Sequence, residues 1–409
     1  MQTAGMNRKT MIAALVPIYA ITLIDVVGYF IMIPLLPYLA QRYGASGVLV
    51  GALLATMAVG SVVAAPIWGA LSDRLGRKPV VLISQTIGLI GYLLLAWAPN
   101  LSMLFVARGV AGIGGGNIGV AQSYIADVTD EEHRDQAYAL FGVIFGVGIV
   151  LGPVAGGFLV RYGFWVPFLV SAVIELVNIT LTILFLPGTR PQRRPKKVSV
   201  TAVARVVVAN DEVRSLIARH FLFIFAVAYF FTIFALFVQR ALGMGPEHAS
   251  WLMAGAGIVG GIMLVAVVGP VARRVGDATV AQYGFMLSAV AYLALGFAHN
   301  LWFFAAVLVV WAAGASCIEP TIAALLSEGA GPDQRGAVMG FNDAMSNVAL
   351  MAAPSLGGFV MDKGTYLVGI VPGLVVAGAL LIGYLHRRQD ASLAEKKRVL
   401  KPGEKAATA

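Results

Sequence analysis

Along this chain the apolar residues alternate neither with period two nor with the period of an amphipathic helix. They run almost unbroken for about twenty residues at a time, enough helix to cross a bilayer core at about 1.5 Å per residue. Such runs lie near 11–39, 48–71, 79–98, 101–125, 136–160, 165–186, 215–239, 249–272, 279–298, 301–326, 336–360 and 365–385. The pattern predicts an all-α integral membrane protein with twelve transmembrane helices. Connections between the runs are short except 187–214, which opens Pro-rich and basic in PGTRPQRRPKK. That stretch reads as a cytoplasmic linker between an N-terminal six-helix bundle (1–186) and a C-terminal one (215–386), followed by a basic tail over 387–409. The first run meets no small-residue cleavage signal before it reaches spanning length. It is expected to stay as a helix rather than act as a signal peptide.

The two halves carry the same landmarks. Gly69, Arg74, Gly76, Asn100 and Leu101 recur as Gly269, Arg274, Gly276, Asn300 and Leu301 at an offset of 200. Arg134, Pro153, Gly156 and Gly157 recur as Arg335, Pro354, Gly357 and Gly358 at an offset of 201. A parallel six-plus-six duplication is a transporter architecture, with two pseudo-symmetric bundles around a central site.

Composition excludes a set of soluble domains: 59% of the 409 residues are hydrophobic and 12% charged, about half the ordinary charged share. The formal charge of +9 follows from topology. Of 29 lysines and arginines, Arg42, Arg161, Arg240 and Lys363 fall outside and Arg108 inside a span if both termini are cytoplasmic; the others gather on the cytoplasmic side. The positive-inside rule therefore places both termini in the cytoplasm, and the basic surface suits anionic lipid rather than nucleic acid. The single cysteine, Cys317, lies in an apolar run and reads as a small core residue. No metal site and no cofactor are expected.

One stretch, GALSDRLGRKPV (69–80), concentrates charge between the second and third runs. At nearly every position it resembles the signature loop of the major facilitator superfamily. RGVAGIGGGNIG (108–119) is similar to the Arg-x-x-x-Gly motif of that family's fourth helix, and GVGIVLGPVAGG (146–157) to the fifth-helix motif of its antiporters. LIDVVGYFIMIPLLP (23–37) resembles the first helix of its twelve-helix drug:proton antiporters, while ADVTDEEHR and PDQRGAVMGF bring the chain near the tetracycline-efflux branch. The resemblance implies a conformational latch made of Gly69, Asp73, Arg74, Gly76, Arg77 and Asp127. In it Asp73 sits against the positive N-terminal end of helix eleven, near Gly336, and Arg77 pairs with Asp127. It also implies an antiporter motif in Gly148, Gly152, Pro153, Gly156 and Gly157, which would seal the outer side between the halves. Facing glycines on helix eight, Gly255, Gly257, Gly260 and Gly261, would allow helices five and eight to approach. The worn copy GPVARRVGDATV (269–280) has Arg273 where Asp73 stood and Asp277 where Arg77 stood. An arginine does not favour a helix N-terminus, so no second latch of this kind is expected.

Arg108 lies about seven residues into the fourth run, roughly 10 Å deep, and is expected to have a buried charge partner. Arg108, Gly112, Gly115, Gly119 and Gln122 recur at helical spacing and are expected on one face. Gly114, Gly116 and Gly119 spell G-x-G-x-x-G, but no strand precedes them, so they read as a surface for close helix contact rather than a dinucleotide loop. Asp25, Glu175, Glu319 and Asp343 lie within spans, where a carboxyl is costly unless protonated, paired or facing a cavity. Desolvation favours the neutral acid and a nearby cation the charged one, so an acid alternately beside and away from Arg108 could take up and release a proton. Asp25, Arg108, Glu319 and Asp343 are the proton-coupling candidates, with Asp25 foremost. Tyr29, Gln122, Glu175, Asn178, Tyr229, Asn342 and Asn347 are the candidates for substrate contact, the aromatic ones suited to amphipathic cations.

These readings predict a carrier of the inner (plasma) membrane that exports small amphipathic compounds, such as drugs or antibiotics, in exchange for protons by alternating access. Its partners are the lipid bilayer, the substrate and protons, and it is expected to work as a monomer. A proton-coupled importer of a metabolite is the alternative within transport. A membrane enzyme or receptor is the alternative outside it. Against the latter, most loops are too short for a catalytic constellation, and there is no metal-ligand cluster, nucleophile elbow or phosphate loop.

Overall fold

The computed structural model describes residues 8–115, 117–129, 131–188, 200–331 and 334–400. Linker positions 189–199, Gly116 of the glycine run and the tail end 401–409 lie outside the described residues. Twelve helices are long and apolar enough to cross a membrane. They are span 1 (Leu15–Arg42), span 2 (Gly47–Leu75), span 3 (Arg77–Ala96), span 4 (Leu101–Val128), span 5 (Gln136–Tyr162) and span 6 (Trp165–Phe185), then span 7 (Asp211–Arg240), span 8 (Pro246–Val275), span 9 (Asp277–Leu295), span 10 (Leu301–Gly329), span 11 (Arg335–Lys363) and span 12 (Thr365–His386).

Polar ends lengthen several spans beyond their apolar runs. Asn210 caps span 7, its side-chain oxygen accepting from Val213 N at 3.1 Å, so the helix starts at Asp211. Inside the stretch read as linker, Val200–Ala209 forms a short helix of its own with Val207 buried. The helix of span 12 runs on without a break through Leu400, over residues that are strong helix formers.

The repeated landmarks occupy equivalent places. Asn100 and Asn300 cap spans 4 and 10, accepting from Met103 N and Phe303 N, each at 2.9 Å. Gly76 and Gly276 take φ of +90° and +84° in the turns after spans 2 and 8, a region glycine enters without steric cost. Packing repeats as well. Span 1 lies against spans 5 and 6, and span 3 against spans 4 and 6; in the second half span 7 lies against spans 11 and 12, and span 9 against spans 10 and 12. The halves meet where span 2 packs on span 11 and span 5 on span 8, two pairs that a two-fold axis exchanges.

Successive spans alternate in direction, which gives the bundle a linker face, bearing Leu75, Val128 and Arg335, and an opposite face, bearing Arg42, Gly47 and Lys363. Near the opposite face the halves are pressed together. A Cβ on Gly51 would collide with the Pro354 backbone, one on Gly47 would lie 2.8 Å from Asp362 Oδ1, and one on Gly257 2.9 Å from Val150 Cγ2. Toward the linker face the same four helices part. A Cβ on Gly69 (span 2), Gly336 or Gly340 (span 11), Gly142 or Gly146 (span 5), or Gly261 (span 8) would meet nothing within 4 Å. The two bundles form a wedge, closed at the opposite face and open at the linker face.

Candidate transport site

Asp25 sits mid-way along span 1, and span 6 lies against it there: Ser171 Oγ of span 6 donates to Gly28 O at 3.2 Å. Two helical turns further along span 6, Asn178 Nδ2 donates to Asp25 Oδ1 at 2.5 Å and to Ile21 O at 3.2 Å. Glu175, one turn before Asn178 on the same face of span 6, is turned toward the Asp25 carboxyl as well. Glu175 is 4% exposed and Asn178 fully buried, while Asp25 is half-buried. Glu175 and Asn178, expected to meet substrate, are both buried in this state, with Asn178 bonded to Asp25.

Arg108 is 1% exposed. Its Nη1 lies 3.4 Å from Met32 Sδ, its Cζ 5.9 Å from the centre of the Tyr29 ring, and its Nε has no hydrogen-bond partner. The charge partner its depth called for is not found; among the described residues no acid forms an ion pair with it. A thioether and a ring face take the cation instead, both electron-rich and cheap to bury. The buried Tyr92 ring of span 3 reaches the same part of span 1, its hydroxyl facing Gly28. The single helical face expected from Arg108 to Gln122 is also corrected. Span 4 consists of two helices, Leu101–Gly114 and Asn117–Val128. Gly112 packs on Gly60 of span 2 and Gly114 on Gly88 of span 3, whereas Gln122 is exposed.

In the second half Glu319 and Asp343 are exposed. Asn342 is buried, with Oδ1 2.9 Å from His220 Nδ1, and Ser346 Oγ lies 3.4 Å from the same nitrogen. Asn347 is half-buried and donates to Asp343 O at 3.0 Å. Tyr229, expected to touch substrate, is fully buried and packs under Gly357 between spans 7 and 11. Sequence reasoning missed Arg219 and His220, which are 7% and 6% exposed inside span 7. Arg219 stands 4.9 Å over the Phe285 ring. The stretch RSLIARHFLFIF holds the signal, two basic residues followed by an apolar run, but cations near a span end read as topology.

At the linker face Arg77 is buried and bridges two acids, with Nη1 2.9 Å from Asp73 Oδ1 and Nε 2.8 Å from Asp127 Oδ2. Arg74 is exposed beside them. A Cβ on Gly69 or on Gly336 would meet nothing within 4 Å here. At the opposite face several contacts join the halves. Asp362, at the end of span 11, accepts from Val48 N at 3.2 Å at the start of span 2, and from Arg240 Nη1 at 2.9 Å. Arg161 of span 5 pairs with Glu247 of span 8, and Tyr38 Oη donates to Met244 O at 3.1 Å. Arg42 and Lys363, the other two cations of this face, lie over the Phe164 and Phe359 rings. The glycine motif departs from its expected role as a seal between halves. Cβ atoms on Gly148, Gly152 and Gly156 would strike Val26, Phe30 and Ile31 of span 1, within the same half; Gly157 alone of the motif's glycines faces span 8, at Ser250.

The Major Facilitator Superfamily model matches residues 18–237 and again 216–408. Tetracycline resistance protein, class C, of Escherichia coli is 32% identical over 83% of this chain and 88% of that protein. Multidrug resistance protein 1 of Bacillus subtilis (strain 168) is 28% identical over 82% of this chain and 86% of its own length. The fold is similar to that of a bacterial homolog to the human lysosomal transporter Spinster in its inward-facing and unoccupied conformation, with a TM-score of 0.78 over 94% of this chain and 98% of that one at 15% identity. With twelve spans in two like halves and the family matched across both, the chain belongs to the Major Facilitator Superfamily.

Proposed function

We propose that this protein exports small amphipathic compounds, drugs or antibiotics among them, across the inner membrane in exchange for protons. The observation that carries the reading is the carboxyl pair of buried Glu175 and half-buried Asp25, in the same half as buried Arg108 and in a wedge open at one face. Such an acid pair is a place to hold a proton, and a wedge that opens first to one side and then to the other moves cargo past it. The relatives named for tetracycline and multidrug resistance support a drug-like cargo. The linker face, with both termini and most of the lysines and arginines, is cytoplasmic by the positive-inside rule. The state described is thus open to the cytoplasm, ready to load cargo. The chain acts as a carrier rather than an enzyme, works as a monomer and needs no cofactor beyond the proton gradient. Glu319 and Asp343, exposed on the second half, are further proton-coupling groups, and Tyr29, Gln122 and Asn347 line the path of the cargo.

The test is a drug-susceptibility panel in an efflux-deleted host expressing the protein, with and without a protonophore. Resistance to at least one amphipathic compound that collapses with the protonophore is the expected result. No change for any compound would count against export, and resistance that survives the protonophore would count against proton coupling.

A further inference from the structure

We propose that the exchangeable proton of the first half resides on Glu175, with Asp25 as the acceptor that passes it to water; the inference rests on the proton-coupled reading above. Two carboxyl groups set side by side in a poorly hydrated site are costly to ionise together, so one of them holds a proton. Their surroundings decide which. Asn178 points its amide N–H at Asp25 Oδ1 from 2.5 Å while anchored on Ile21 O, and that donor suits a carboxylate. Glu175 is 4% exposed and aims Oε1 at Gly88, where even an added Cβ would stand 3.8 Å away. A full charge at that depth costs far more than a neutral acid. Half-buried Asp25 is the member of the pair that water reaches first.

The other titratable or charged groups around the pair are Tyr29 on span 1, Tyr92 on span 3 and Arg108 on span 4. Span 5, which also packs on span 1, has no charged residue between Tyr138 and Arg161. Arg108 turns its guanidinium to Met32 and Tyr29 rather than to either carboxyl. On discharge the O–H bond of Glu175 breaks, the proton passes to a carboxylate oxygen of Asp25, and from there water in the wedge takes it. The pair passes from one negative charge to two, which a cationic cargo offsets.

Infrared difference spectra of the full-length protein in lipid, taken across a pH step, read this directly through the band of a protonated carboxyl. Glu175→Gln is expected to remove the band, and Asp25→Asn to leave it in place. Labelling all glutamates with carbon-13 in the unmutated protein should shift the same band, an assignment that does not depend on any variant folding. Asn178→Ala keeps both acids and should keep the band while moving its position. A band lost in Asp25→Asn but kept in Glu175→Gln would put the proton on Asp25 and overturn the proposal. A band present in both variants would place it outside the pair and overturn it equally. Export that ignores a protonophore, with the band still assigned to Glu175, would instead strike the proton-coupled reading alone.

Discussion

Arg108 shows how a buried cation is held with no ion pair among the described residues. Its Nη1 meets the Met32 thioether at 3.4 Å and its guanidinium lies 5.9 Å from the Tyr29 ring, contacts each worth on the order of 1 kcal/mol. Nε remains without a partner, which leaves one donor for a cargo oxygen or a carboxyl in another state. Replacement by Ala is expected to abolish proton-coupled export while the protein still inserts. Lys should restore little of it, because a point charge lacks the planar fork. Full export by the Ala variant, measured in everted vesicles, would show that the charge has no part in the cycle. Depth made Arg108 visible in the sequence, and Asp25 likewise, since a charge stands out in an apolar run. Their partners were not visible. Asp25 and Asn178 are 153 positions apart, and no local spacing brings span 1 against span 6. Asn178 and Glu175 share a face of span 6, yet only the fold turns that face inward. Arg219 and His220 were hidden for a different reason. They lie near the linker face, where basic residues are expected on topology alone.

Among the helices, spans 2 and 11 do the most to hold the observed state. Their meeting depends on Gly47, Gly51 and Gly358, each backed against the other helix's backbone. A methyl group there has nowhere to go, because the obstacle is main chain rather than a flexible side chain. Gly358→Ala is therefore expected to push spans 2 and 11 apart at the opposite face and favour the alternative state, with spin-label distances across that face lengthening. Distances that stay as in the parent protein would mean that the contact yields locally. Caps offer a control for ordinary stability. Asn100→Ala removes the bond to Met103 N and should cost about 1 kcal/mol without changing the balance between states. The twelve helices were legible because apolar length is written locally, and the duplicated caps and turns because their residues repeat. Which helices touch was not. The glycines of span 5 looked like a seam between halves, and they serve mainly to seat span 5 on span 1, since helix contact depends on the partner as much as on the glycine face.

The whole molecule has two latches of one design. Spans 2 and 11 run in opposite directions and each ends in an aspartate: Asp362, at the closed face, accepts from Val48 N at the start of span 2, and Asp73, at the open face, pairs here with Arg77 and is expected to meet the start of span 11 when that face closes. A carboxylate at a helix N-terminus is worth about 0.3–2 kcal/mol, a change of roughly 2- to 30-fold in a population ratio. The two should act with opposite signs. Asp362→Asn is expected to shift the balance toward the state closed at the linker face, and Asp73→Asn toward the state described here, with the double variant near the parent. Label distances across both faces would check this, and a shift of the same sign in both variants would refute the paired design. The balance so set is then driven by protons. One proton entering down 100 mV releases about 2.3 kcal/mol, and one pH unit adds about 1.4 kcal/mol. If one proton enters for each neutral molecule exported, the sum of about 3.7 kcal/mol sustains a gradient of roughly 500-fold; for a monovalent cation the voltage cancels and about tenfold remains. One exchangeable proton on the Asp25–Glu175 pair therefore predicts a sharp difference between cargoes. Removing the membrane voltage with valinomycin and potassium, at a fixed pH gradient, should leave the steady-state gradient of a cationic cargo unchanged and lower that of a neutral one about 50-fold. A voltage effect on the cationic cargo would mean that more than one proton enters per cycle, and would bring Glu319 or Asp343 into the count.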